Sequence, residues 1–418
     1  MTPGASITRL PKRSLLRGAA QAGAGVALAV GGHLVDFGRL TVPAVLGRGS
    51  AYSAAHRRAQ AALPAGRLAL LADNALWLME PGGPRRLASG TGGWLQDPAW
   101  SPDGAALAYT HVQFRPPTAA TSPGGMLWPS GEVFAVRPSA GSSAVEGPTA
   151  LLRREALNET LVSAVWSPDG ATLYAVRRRP SPFNPTSVQS DILGVDLAGG
   201  GRSSVIATGD LGSAGGLGDV AEVAAGPDGS LAVLGTTGPA VTGVQDVALF
   251  HILPDGTRRE LASTAMTAPV PGLDFLVYLR FSPDGRYLAF AAGEGPAGLA
   301  GFAGPAEGTG HAGLAGIAND SGTSTVARSF LSFGPGAASA HGARGWPWVA
   351  DLYTGELRRV PVAGLDDLAG LVWLADQERL LVLDAQGLAV VTIADGTLAR
   401  VEGLPRLAAT ALAYSPAV

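Results

Sequence analysis

From residue 66 onward the apolar positions fall in short runs of strand length, each closed by a turn built from Gly, Pro and Asp, and the runs group in fours. An aromatic residue ends the first run of a group and a tight turn follows it. The copies read Trp100-Ser101-Pro102-Asp103-Gly104, Trp166-Ser167-Pro168-Asp169-Gly170, Phe281-Ser282-Pro283-Asp284-Gly285, a degraded Trp373-Leu374-Ala375-Asp376-Gln377 and a truncated Tyr414-Ser415-Pro416. A further copy, Ala225-Gly226-Pro227-Asp228-Gly229, keeps the turn without the aromatic. Second runs follow at 105–110, 171–176, 230–235, 286–291 and 379–384. Third runs lie at 131–136, 191–197, 246–253, 348–353 and 388–394, and fourth runs at 150–154, 203–208, 258–262, 356–360 and 398–401. Four short strands per repeating unit predict the blades of a β-propeller.

The turn explains itself physically. Proline presets φ for the second turn position, Asp tolerates the third, and glycine supplies the positive φ from which the chain re-enters a strand. The aromatic before each turn is expected between neighbouring blades, where a large side chain buries most area. The last unit stops after its first strand, 410–415, whereas 67–71, 75–79 and 85–88 supply three strands without a first. Joined, they complete one blade. The fold class expected is therefore all-β, a six-bladed β-propeller of four-stranded antiparallel blades, closed by a blade shared between the N- and C-terminal segments.

Length and composition agree with a ring of small cores over residues 66–418, and the 59 glycines and 31 prolines suit a turn-rich all-β chain. A formal net charge of −3 with 15% charged residues offers no basic face for a phosphate backbone, so nucleic acid is not expected as a partner. There is no cysteine, which excludes disulfides, thiol chemistry and cysteine-held zinc.

Residues 1–65 are expected to lie outside the propeller, as an export signal or weak membrane anchor plus linker. Arg9, Lys12, Arg13 and Arg17 precede a Gly/Ala-rich, weakly apolar run over 18–35. Gln21, His33 and Asp36 interrupt that run, which disfavours a lipid-spanning helix. The stretch Pro11-Lys12-Arg13-Ser14-Leu15-Leu16-Arg17 resembles the twin-arginine export motif, with lysine in the first basic position, and Ser53-Ala54-Ala55 offers small residues for cleavage. The resemblance implies an extracytoplasmic, periplasmic location; a cytoplasmic tail is the alternative.

The Trp-Ser-Pro-Asp-Gly turns at Trp100 and Trp166, with the variant at Phe281, resemble the repeats of TolB-like propellers, also described as WD40-like or PD40 repeats. Similar repeats occur in the propeller domains of prolyl-oligopeptidase-type peptidases. The resemblance covers about 66–418 and implies the fold; it implies little about activity, because the repeated residues build turns and cores. No Gly-x-Ser-x-Gly elbow is present, and the expectation is a stand-alone propeller.

Candidate chemistry is sparse. The longer gaps between second and third strands, 111–130, 177–190, 236–245 and 293–347, share one face of the ring, which is the expected binding face. On it stand Arg177, Arg178 and Arg179, whose guanidiniums suit a carboxylate or phosphate, and Trp128, Trp346 and Trp348, which suit a peptide or sugar. Solvated loop charges and blade-edge packing are the competing readings. The stretch 293–345 is a Gly/Ala-rich insertion expected to be flexible. The histidines show no zinc-ligand spacing, and no cofactor, metal or catalytic residue is assigned. The expected function is a non-catalytic binding or scaffolding propeller of the bacterial cell envelope, a monomer recognising a protein or small ligand. The alternative is a metal-dependent, lactonase-like hydrolase with acidic residues in the central channel, the discriminator being three or four carboxylates or amides converging on the axis.

Overall fold

Because every blade is covered by a neighbour on both faces, its middle strands read as continuous apolar runs instead of alternating ones. The computed structural model describes residues 59–61, 65–80, 83–114, 129–138, 147–180, 188–207, 217–237, 246–264, 273–294, 345–366, 368–402, 404 and 409–416. Among them there are only strands and turns. The first strand is β1 (Ala59–Ala61). Blade I consists of β2 (Gly66–Ala72), β3 (Ala75–Glu80) and β4 (Gly83–Ser89), and blade II of β5 (Trp94–Trp100), β6 (Leu107–Phe114), β7 (Pro129–Val136) and β8 (Thr149–Leu152). Blade III is β9 (Thr160–Trp166), β10 (Thr172–Pro180), β11 (Val188–Asp196) and β12 (Arg202–Ala207). Blade IV is β13 (Leu217–Ala225), β14 (Leu231–Thr237), β15 (Asp246–Ile252) and β16 (Arg258–Ser263). Blade V is β17 (Leu273–Phe281), β18 (Tyr287–Glu294), β19 (Gly345–Asp351) and β20 (Leu357–Arg359). Blade VI is β21 (Gly370–Trp373), β22 (Arg379–Asp384), β23 (Gly387–Thr392) and β24 (Leu398–Val401), and the chain returns to blade I as β25 (Ala409–Pro416).

Sheet order confirms six antiparallel four-stranded blades, with blade I running β25-β2-β3-β4. Closure is by direct pairing of the two chain ends: Arg67 stands opposite Ser415 and Leu70 opposite Leu412. The first strands β5, β9, β13, β17, β21 and β25 touch one another in succession around the ring, so they surround the axis. β1 was not anticipated. It lies within the span expected outside the propeller, yet it pairs in parallel with β24, Gln60 opposite Arg400, as a fifth strand on blade VI.

Six apolar clusters sit at the six junctions. That between blades V and VI joins Ala289, Ala291 and Val349 to Leu380, Val382 and Trp373; that between IV and V joins Leu234 and Leu249 to Leu279, Phe290 and Trp348. The repeated aromatics lie in these junctions: Trp100 between I and II, Trp166 between II and III, Phe281 between IV and V, Tyr414 between VI and I. Two also hydrogen-bond across: the Trp166 indole donates to Ala99 O at 3.1 Å and that of Trp373 to Arg280 O at 2.8 Å.

Where serine opens the turn, it adds side-chain bonds to it. Ser101 Oγ donates to Asp103 Oδ1 at 2.5 Å and accepts the Ala106 amide at 2.9 Å, while Asp103 Oδ1 accepts the Ala105 amide at 2.9 Å. Ser167 with Asp169 and Ser282 with Asp284 repeat the pattern. Successive turns also touch. A Cβ added at Gly285 would lie 2.7 Å from Pro227 of the preceding turn, whereas one at Gly170 would lie 3.6 Å from Pro102.

Candidate functional site

One position recurs on the axis-surrounding first strand of every blade, three residues before the aromatic slot: Asp97, Ser163, Glu222, Tyr278, Gly370 and Ala411. Three of these, Asp97, Ser163 and Tyr278, have positive φ of 52°, 52° and 63°. The ladder slips beside each, between Gln96 and Ala99, between Tyr174 and Val176 on the partner strand, and between Val277 and Arg280. Such bulges strip amides of their ladder partners, and an enclosed amide without an acceptor is costly. The acceptor comes from the preceding blade. Asp97 Oδ2 accepts the Ser163 amide at 2.9 Å, and Ser163 Oγ accepts that of Val223 at 3.0 Å. Glu222 accepts Tyr278 N and Leu279 N at 2.8 and 2.9 Å.

The belt is polar over blades II to V and small over blades VI and I, where Gly370 leaves room for Leu412, 3.3 Å from the place of its missing Cβ. Arg280 donates from Nη1 to Leu279 O at 2.6 Å and to Glu222 Oε1 at 3.3 Å. Glu222 keeps 19% of its side chain exposed but is enclosed by the ring, and this loss of solvation holds its carboxyl above the ordinary range. The charge of Arg280 opposes the shift and that of Asp97 adds to it. Asp97 is raised for the same reason, against the Ser163 amide and the charges of Arg280 and Arg178. The ordered bulge amides and Arg280 thus bind the two inner carboxylates. Among the described residues no group of three or more His, Asp or Glu is placed to hold a metal ion.

A second polar cluster stands on the face that carries the β6–β7 and β10–β11 connections. The arginine triplet belongs to β10 itself, which runs on to Pro180, so the residues expected in a loop are held in a sheet. Arg177 makes a bidentate pair with Asp191 through Nε, at 2.8 Å, and Nη2. Arg178 is buried, donating to Val220 O at 3.1 and 2.7 Å and lying 3.3 Å from Asp219, and so clasps blade III to blade IV. Arg179 retains exposure, with Nη2 3.8 Å from Asp191. Glu159, one residue before β9, is buried; this raises its carboxyl, with the charges of Arg177 and Arg179 opposing.

The tryptophans separate. Trp348 is buried in the junction of blades IV and V, and Trp346 packs at that junction and the next beneath Arg359, whose guanidinium carbon is 4.7 Å from its ring centroid. Trp128, the segment 1–58 and residues 295–344 of the Gly/Ala-rich stretch lie outside the described residues. Asp97, Glu222, Arg280 and Glu159 were not singled out from sequence. The signal was available for two of them: Asp97 and Glu222 share the third place before the aromatic slot.

No family model matches the chain, and no curated protein matches it. Solved structures do. They include a chain of the nidogen/laminin complex (10% identity, 84% of this chain and 98% of that chain, TM-score 0.47). An oligogalacturonate lyase in complex with manganese matches at 15% identity, covering 78% of this chain and 70% of that one, TM-score 0.43. A gluconolactonase from Xanthomonas campestris matches at 14% identity, covering 83% and 90%, TM-score 0.41. At this level of similarity no chemistry transfers between the chains, and the six-bladed architecture stands on the strand pairing above.

Proposed function

We propose that this chain is a non-catalytic binding and scaffolding propeller of the TolB-like repeat class, exported to the bacterial cell envelope, which recognises a protein or small ligand on the face carrying the longer connections. The observation that carries this reading is the engagement of the inner carboxylates. Asp97 and Glu222 accept the bulge amides of the next blade, and Arg280 stands against Glu222. A hydrolytic metal centre needs carboxylates free to turn toward an ion. These two hold the ring together. Rim charge favours the opposite role for the long-connection face, where Arg179 and Glu155 remain accessible beside paired neighbours.

Two measurements test it. Replacement of residues 181–187 by a short Gly-Ser link is expected to abolish retention of the partner from an envelope fraction, while Tyr353→Ser, on the opposite face and 79% exposed, leaves it intact. Equal loss from both overturns the assignment of the face. Divalent-cation-dependent turnover of lactone substrates that disappears in Asp97→Asn overturns the non-catalytic reading.

A further inference from the structure

Blade III carries an ion set whose members do not close on one another. Arg178 stands opposite Thr160 across β9 and β10, so the register brings Arg179 opposite Glu159. Arg177 and Arg179 alternate with Arg178, which is committed to Val220 of blade IV. Asp191 is bidentate to Arg177 and is also the carboxylate nearest Arg179, at 3.8 Å. One carboxylate is thereby shared between two guanidiniums. Glu159 supplies the balancing charge without touching either arginine. Glu159 is 2% exposed, yet its Oε1 is buried without a hydrogen-bond partner, and Nε of Arg179 is likewise buried and unpartnered. Each residue has charged neighbours, Asp191 for Arg179 and the two arginines for Glu159, yet each keeps one buried polar atom unsatisfied, a cost that a ligand pairing with both ends would remove.

We propose that Glu159 and Arg179 form a binding site for a zwitterionic α-amino acid, its ammonium group pairing with Glu159 and its carboxylate with Arg179. The choice of ligand class follows from charge. Arg177, Arg179, Asp191 and Glu159 sum to zero, so a ligand of no net charge leaves the balance undisturbed. A simple anion satisfies Arg179 but repels Glu159; a simple cation does the reverse. A neutral sugar or amide supplies hydrogen bonds but no charge to meet either Glu159 or Arg179. A zwitterion inserts in the order carboxylate, ammonium, carboxylate, guanidinium, with every contact between unlike charges. The proposal rests on the recognition role of this face and names a small-ligand class for it.

The test is titration calorimetry of the full chain with the standard L-amino acids, with N-acetyl amino acids and amino acid amides as probes that each lack one charge. At least one free amino acid is expected to bind, with both blocked forms weaker by about tenfold or more. Glu159→Gln and Arg179→Gln are each expected to weaken binding by about ten- to a hundredfold, with circular dichroism and the thermal midpoint reporting that the ring is intact. Since the blocked ligands probe the unaltered protein, the outcome does not depend on how the variants fold. No binding of any amino acid, or binding indifferent to blocking and to both substitutions, overturns the site and leaves the loop-replacement test of the face untouched. Conversion of the bound amino acid to a product, followed by mass spectrometry, upholds the site and overturns the non-catalytic reading.

Discussion

The carboxylate of Asp97 reaches out of blade II and accepts the backbone amide of Ser163 in blade III at 2.9 Å. Both residues have positive φ, so each bulge supplies the side chain that satisfies the next. Asp97→Ala is expected to leave the Ser163 amide unsatisfied and to lower stability by about 1 to 3 kcal/mol in urea unfolding. Asp97→Asn, which keeps an acceptor oxygen, is expected to recover part of the loss. Equal effects of the two substitutions would show that the amide contact is not the source.

Glu222 gives the ring a pH dependence of unusual sign. Its carboxyl is raised by desolvation, so the folded chain holds this proton more tightly than the unfolded chain, and the contribution is fully present below the ordinary value of 4.5. It is lost as pH rises from there through the folded value. Urea midpoints of Glu222→Gln are expected to fall less steeply than those of the unaltered protein across that window. Turn aspartates such as Asp103 and Asp351 act in the other direction. Their carboxyls are lowered, chiefly by the Ser101 hydroxyl and by the Thr354 amide respectively, so their contribution is present above the ordinary 3.8 and lost in stronger acid.

Gly170 and Gly285 isolate the packing between turns from the backbone cost. Both have positive φ, 71° and 75°, so alanine is strained at either by a similar amount. Only at Gly285 does the new Cβ meet Pro227, at 2.7 Å. Gly285→Ala is therefore expected to lower the thermal midpoint more than Gly170→Ala, and matched values would remove turn-to-turn contact as a source of stability.

Ser282 is nearly fully buried and bridges Asp284 to the Tyr287 amide. Ser282→Ala is expected to cost about 1 kcal/mol, with the Tyr287 amide exchanging faster in hydrogen-exchange measurements. Ser101→Ala is expected to behave alike at Ala106.

The architecture was legible because its signals are local. Proline, aspartate and glycine at fixed offsets dictate a turn wherever they occur, and three strands without a first at one end and a lone first strand at the other implied the shared blade that Arg67 and Ser415 complete. Strand ends were less legible: β10 runs past Val176 through the arginines, because Asp191 and Asp219 neutralise two of them and a charged run no longer marks a loop. The inner belt escaped notice since a bulge breaks the two-residue period that would have flagged Asp97 and Glu222. Glu159 had no sequence signal, as it falls at no repeated position of the turn motif.

The partnership of β2 with β25 has a consequence for biosynthesis. During translation the first three strands of blade I emerge with the flank of Arg67 to Leu71 uncovered, and their mate β25 is made only after the strands of the other five blades. Blade I therefore carries an unpaired apolar strand edge while the other five blades are synthesised, the kind of exposed edge that chaperones shield.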